Sequence, residues 1–147
     1  MMKVYLSSDH AGFELKKELA EFLRAQKYEV VDRGPVMLEP QDDYPDYIEP
    51  MAQEVAAHPG SFGIAIGGSG EGEAMAANRT DGARAAEYYG GNLDIVNVAR
   101  EHNDANILSL GARFINSEHA KEAAALFLST PFSGAERHAR RIKKLDD

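Results

Sequence analysis

Short apolar runs alternate along this chain with longer stretches in which apolar residues recur every three or four positions. The first pattern is that of a buried strand and the second that of an amphipathic helix. Residues 3–7 predict a strand, followed by a helix whose apolar face is Leu15, Leu19, Phe22 and Leu23. Residues 28–31 predict a second strand, ended by the turn-forming Asp32-Arg33-Gly34-Pro35. Ile48, Met51, Ala52 and Val55 mark another helix with Pro45 near its start, and Pro50 is tolerated if that helix begins near Asp46. Residues 62–66 form a third strand, residues 84–87 a weak fourth, and residues 105–110 a fifth ended by Gly111. Helices are expected over about 92–101, from an N-cap at Ser117 through Leu128, and from about Ala135 onward. Regular alternation of this kind implies a parallel sheet with helices on both faces, whose ligands bind beyond the carboxyl ends of the strands.

Composition narrows the classes. The 147 residues contain no cysteine, which removes disulfides, thiolate metal sites and a cysteine nucleophile or base. No repeat, linker or low-complexity stretch divides the chain, so residues 1–147 are expected to form a single domain. The opening residues hold too short an apolar run for a signal peptide or a spanning helix, and cytoplasmic residence is the expectation. A net charge of −8 argues against a general nucleic-acid or membrane-surface binder. That charge is uneven. Residues 39–49 carry five acidic groups and no basic one, whereas Arg137, His138, Arg140, Arg141, Lys143 and Lys144 follow one another without an acid.

The densest chemistry is Gly67-Gly68-Ser69-Gly70-Glu71-Gly72-Glu73, between the third strand and a helix start. Glycines let such a turn aim several backbone N–H groups at one oxygen-rich ligand. It is not a nucleoside-triphosphate loop, because no Lys-Ser or Lys-Thr follows. It also lacks the third glycine of the dinucleotide fingerprint and the G-x-S-x-G nucleophile elbow. Either Glu71 or Glu73 could act as a base if desolvated, or could merely favour the positive end of a helix. Asp9-His10 ends the first strand and Gly111-Ala112-Arg113 the fifth, so polar residues collect at successive strand ends. Asp9 is also a good helix cap. His102-Asn103-Asp104 has no metal-ligand spacing, and no metal is expected. Arg137 and Arg141 share one helical face and could clamp a phosphate or simply be solvated.

In order, Ser8-Asp9-His10-Ala11-Gly12, Asp43-Tyr44-Pro45, the glycine turn, Ala77-Asn78-Arg79, Gly82-Ala83-Arg84-Ala85, Arg100-Glu101-His102-Asn103-Asp104-Ala105-Asn106, Gly111-Ala112-Arg113 and Arg137-His138-x-x-Arg141 run through nearly the whole chain. Together they resemble the ribose-5-phosphate isomerase B / galactose-6-phosphate isomerase family. The resemblance implies a Rossmann-like three-layer α/β/α sandwich with a five-stranded parallel sheet. It implies a homodimer with shared active sites, or a pair of such dimers, and cofactor-free aldose–ketose isomerisation of a sugar phosphate through an enediolate. Asp9 and His10 would contact the sugar, with Tyr44 beside them. His102 would assist ring opening, and Asn103 would hold the intermediate. Arg113, Arg137 and Arg141, assisted by His10, would surround the phosphate, some of them from the partner subunit. The backbone around Gly68, Gly70 and Gly72, with Ser69, would hold the oxyanion.

Many members of that family place a cysteine base where this chain has Gly67, and another branch uses the glutamate at the position of Glu73. Without cysteine the expectation falls on Glu73, ahead of Glu71. Residues 87–92 depart from the family pattern. Ribose 5-phosphate is the expected substrate. The alternatives are a six-carbon aldose phosphate such as allose or galactose 6-phosphate, a non-catalytic sugar-phosphate or nucleotide sensor, and a structural dimerisation module.

Overall fold

The computed structural model describes residues 2–146. The chain runs β1 (Lys3–Ser8), α1 (Phe13–Ala25), β2 (Glu29–Asp32), α2 (Pro45–Ala57), β3 (Phe62–Gly67), α3 (Glu71–Ala77), β4 (Ala85–Tyr88), α4 (Asp94–Glu101), β5 (Ile107–Gly111), α5 (Ser117–Ser129) and α6 (Glu136–Lys143). The strands form one parallel sheet in the order β2-β1-β3-β5-β4. Central strands of such a sheet are covered on both faces and therefore read as unbroken apolar runs. Ile64, Ala65, Ile66, Ile107 and Leu108 are accordingly buried. Leu15, Leu19 and Leu23 of α1, Val96 and Ala99 of α4, and Ala120 and Phe127 of α5 pack on one face. Ile48, Met51 and Val55 of α2 and Ala76 and Ala77 of α3 cover the other. This is the three-layer sandwich with a five-stranded parallel sheet that the pattern predicts.

Several local expectations shift. Asn116, not Ser117, caps α5, its side-chain oxygen accepting the His119 N–H at 2.8 Å. The fourth helix starts at Asp94, because Asn92 turns back to accept that residue's N–H at 2.9 Å. Asp9 does not cap α1 directly. Gly12 occupies the cap, and Asp9 instead accepts the Gly12 N–H at 3.1 Å, bracing the turn before the helix. Pro50 lies inside α2 on its exposed side, one turn beyond the start at Pro45.

Two buried cations fix loops at opposite ends of the sheet. Lys16 is 1% exposed and donates to Asp32 Oδ1 and to the Pro35 carbonyl, both at 2.7 Å. That pins the chain leaving β2 against α1. Arg100, at the end of α4, donates to the carbonyls of Thr130 at 2.9 Å and Ala105 at 2.6 Å and to Asp104 Oδ1 at 2.9 Å. Its guanidinium lies over the Phe62 ring. The planar fork of arginine matches this divergent set of acceptors where lysine would not. Arg100→Met leaves two buried carbonyls without donors and should cost about 2–4 kcal/mol in urea denaturation, with Arg100→Lys recovering only part. A loss below about 0.5 kcal/mol would show that water replaces the guanidinium.

Candidate active site

The chain order reverses between β1 and β3, so the connections leaving their carboxyl ends run to opposite faces of the sheet and open a crevice. The Asp9 N–H donates to the Ile66 carbonyl at 3.2 Å and ties the two strand ends together. Beyond β3 the backbone turns sharply at Gly70, whose φ of 86° lies in the left-handed region, and enters α3. The Ser69 hydroxyl oxygen accepts the Glu71 N–H at 3.1 Å, which leaves its own hydrogen free to donate. Among the described residues, the N–H groups of Gly68, Ser69 and Gly70 donate to no protein acceptor. Three free donors in one glycine turn form a nest for a concentrated negative charge. Gly72 lets the Tyr44 ring lie directly against the turn, and the Arg113 guanidinium packs against Gly68.

Glu73 and Glu71 are clearly distinguished. Glu71 starts α3 and is exposed, lining a cleft of about 630 Å³ with Ser69, Tyr89, Gly90, Gly91 and Phe114. Glu73 is 3% exposed, and its carboxylate fills the space that any side chain on Gly67 would need. Burial pushes its pKa from the usual 4.5 to about 7. Hydrogen bonding to its own backbone opposes the rise, while the neighbouring Asp9 carboxyl and a charge from Glu87 reinforce it. Glu73 is thus poised to take or release a proton near neutrality. Glu87, at the end of β4, is itself held above the usual carboxylate range by burial and by Glu71, and its Oε1 is buried without a partner. Of residues 87–92, Tyr89, Gly90 and Gly91 line the cleft, and the Tyr89 ring lies 6.0 Å from that of Phe114 between centroids.

His10 lies beside Asp9 at the mouth, and its Nδ1 is 2.9 Å from Asp42 Oδ1. Asp42 and Glu87 are contributors that sequence reasoning missed. Asp42 lies within an acidic run whose contact with His10 spans 32 positions, and Glu87 reads as one residue of a weak strand.

The remaining expected residues are elsewhere. Helix α4 returns antiparallel to the strands, so His102 and Asn103 at its end lie near the amino edge of the sheet, just before β5. They are separated from the glycine turn by at least the length of β5, about 13 Å. The Ser133 N–H donates to the Glu101 carbonyl at 3.1 Å and brings α6 to the same end. There the His102 and His138 rings stack 4.4 Å apart at an interplanar angle of 16°. His138 is buried with Nε2 unpartnered, and burial, followed by Arg137, His102 and Arg141, holds its pKa below the usual histidine range. Arg137 and Arg141 are exposed. One chain therefore brings together Asp9, His10, Tyr44, the glycine turn, Glu73 and Arg113, but not His102, Asn103, Arg137 or Arg141. Among the described residues no three His, Cys, Asp or Glu side chains converge as metal ligands would, and no helix is long and apolar enough to cross a membrane.

The chain as a whole is similar to known proteins. Ribose-5-phosphate isomerase B of Mycobacterium tuberculosis is 42% identical over 141 residues, covering 96% of this chain and 86% of that protein. The Mycoplasma genitalium ribose-5-phosphate isomerase B structure, solved with bound ribulose-5-phosphate, superposes with a TM-score of 0.93 at 36% identity, covering 98% of this chain and 93% of that one. The Thermotoga maritima enzyme structure gives a TM-score of 0.91 at 43% identity, covering 99% and 97%. The family model for Ribose/Galactose Isomerase matches residues 4–145, from the first strand through the basic last helix. With sequence and fold in agreement, this chain belongs to the ribose/galactose isomerase family.

Proposed function

We propose that the protein interconverts ribose 5-phosphate and ribulose 5-phosphate by proton transfer through an enediolate, with Glu73 as the base. One observation carries this reading: a buried carboxylate with a pKa of about 7 stands beside a turn with three free N–H donors. A proton alpha to a carbonyl becomes removable only when the resulting oxyanion is stabilised. A positioned base contributes typically ~10²–10⁴-fold and each good oxyanion donor roughly 2.7–4 kcal/mol. Glu73 takes the C2 proton and returns it to C1. Meanwhile the Gly68, Ser69 and Gly70 N–H groups hold the charge on oxygen, and the Ser69 hydroxyl is placed to relay the proton between O1 and O2. These groups supply what the transfer requires without a cofactor. The relatives named above favour a five-carbon substrate.

The same reading makes the active unit a homodimer. His102, Asn103, Arg137 and Arg141 of a second copy complete the crevice, because their own sheet holds them at its opposite end. His102 then assists ring opening, Asn103 meets the intermediate, and the arginines with Arg113 hold the phosphate. Remote phosphate binding orients C1 and C2 over the base.

An assay with ribose 5-phosphate in deuterated water should show ribulose 5-phosphate carrying solvent deuterium at carbon; tight binding without exchange would make the protein a sensor. Glu73→Gln should lose at least ~10²-fold in kcat while still binding a substrate analogue. Gly67→Ala should lose comparable activity by displacing the carboxylate; near-normal kcat in either variant would remove Glu73 from the chemistry.

The base works ionised, so kcat/KM should fall as pH drops through about 7. Because the folded state holds that proton more tightly than the unfolded chain, the Glu73 contribution makes stability decline as pH rises from about 4.5 through about 7. Urea denaturation at a series of pH values should show that decline in the wild type and a flatter profile in Glu73→Gln.

Arg137→Ala and Arg141→Ala should each raise KM by about tenfold to a hundredfold. Mixing Arg137→Ala with Glu73→Gln should restore activity, since a mixed dimer contains one site with neither lesion. Verified mixed dimers without recovered activity would place base and clamp in the same chain.

A further inference from the structure

Asp42 belongs to the loop between β2 and α2, and its side chain is only 4% exposed. Its Oδ1 accepts the backbone N–H of His10 at 3.3 Å and lies 2.9 Å from His10 Nδ1. Its Oδ2 is buried with no partner among the described residues. A carboxylate oxygen only accepts hydrogen bonds, so the ring nitrogen facing it must carry the hydrogen. The ring itself is about one-third exposed at the mouth of the crevice.

We propose that Asp42 is a positioning residue for the isomerisation, fixing the His10 ring with Nδ1 protonated and Nε2 facing the sugar phosphate; this rests on the isomerase reading above. The carboxylate performs two tasks through one oxygen. The backbone bond sets where the turn after β1 lies, and the ring bond sets how the imidazole is rotated and which nitrogen is bare. Any contact His10 makes with the substrate then goes through Nε2. Without Asp42 the ring is free to turn over and to exchange tautomers, so each encounter with substrate must first select the productive form. The same orienting logic governs histidines that act beside a buried aspartate in other enzymes. A residue that merely tied the loop down would need only the backbone bond and would leave the ring unaffected.

The test uses the full chain labelled with ¹⁵N-histidine, in buffer alkaline enough to keep imidazoles neutral, with His10 signals assigned through His10→Gln. The wild type should show His10 protonated on Nδ1. Asp42→Ala should shift it to the Nε2-protonated form favoured by imidazole in water and lower kcat/KM for ribose 5-phosphate by about tenfold to a hundredfold. Asp42→Asn, whose amide oxygen can accept both bonds, should keep the wild-type tautomer and stay within a few-fold of wild-type kcat/KM. An Nε2-protonated His10 in the wild type overturns the proposal and needs no substitution to be seen, so the test stands even if Asp42→Ala fails to fold. Lost activity in Asp42→Ala with an unchanged tautomer also overturns it and reduces Asp42 to a loop anchor. A wild type that turns over no ribose 5-phosphate removes the isomerase reading and this role with it, a failure distinguishable from a wrong tautomer.

Discussion

A carboxylate withdrawn from water must be neutralised, paired or given an elevated proton affinity. Glu73 takes the last course, and its neighbourhood is organised around keeping it there. Gly67 leaves the space the carboxylate fills, and Gly70 in the left-handed conformation turns the chain into α3 so that the third helical residue points back at β3. Gly72 lets Tyr44 close over the helix start. Asp9 beyond β1 and Glu87 on β4 add negative charge, so groups from both sides of β3 act on one proton. The glycine turn is therefore as much a device for burying a carboxylate as a cradle for an anion.

The division of charged groups between the two ends of the sheet follows from the same need. An arginine packed permanently against Glu73 would stabilise the ionised form and draw its proton affinity back to the ordinary carboxylate range, weakening it as a base. The fold keeps Arg137 and Arg141 at the far edge, on a helix tied to the end of α4 through Glu101 and Ser133. In the proposed dimer these cations meet a neighbour's carboxylates across a bound phosphate, whose own charge occupies them. Arg113 is the exception, but it packs on Gly68 and does not contribute to the Glu73 shift.

What could be read from the chain divides along the range of the interactions. Strands, helices and the two-sided sheet were legible, because periodicity is local and central strands such as residues 62–66 are apolar throughout. Boundaries moved where a side chain reached back two or three positions, as Asn92 and Asn116 do. The choice of Glu73 over Glu71 was not legible from pattern alone. Both suit a helix start, and only burial against β3 separates them. The His10–Asp42 contact and the charge of Glu87 depend on which strands become neighbours, and no spacing encodes that. Arg137 and Arg141 could be read as sharing one basic helical face, but their position relative to Glu73 depends on the direction in which α4 returns.

Within the family this chain resembles, a cysteine often stands where Gly67 is found here, and the geometry explains why the two solutions exclude one another. Any side chain on residue 67 would occupy the volume of the Glu73 carboxylate. A cysteine there would force the glutamate outward into solvent, where its proton affinity would return to the ordinary range and its use as a base near neutrality would be lost. A glycine there without the glutamate would leave a void beside the donor nest and no base at all. The two positions therefore form one steric unit, and a change from thiol to carboxylate chemistry requires both. In the proposed mechanism the proton is taken at the end of β3, over the N–H groups of Gly68, Ser69 and Gly70, a place set by the strand reversal between β1 and β3.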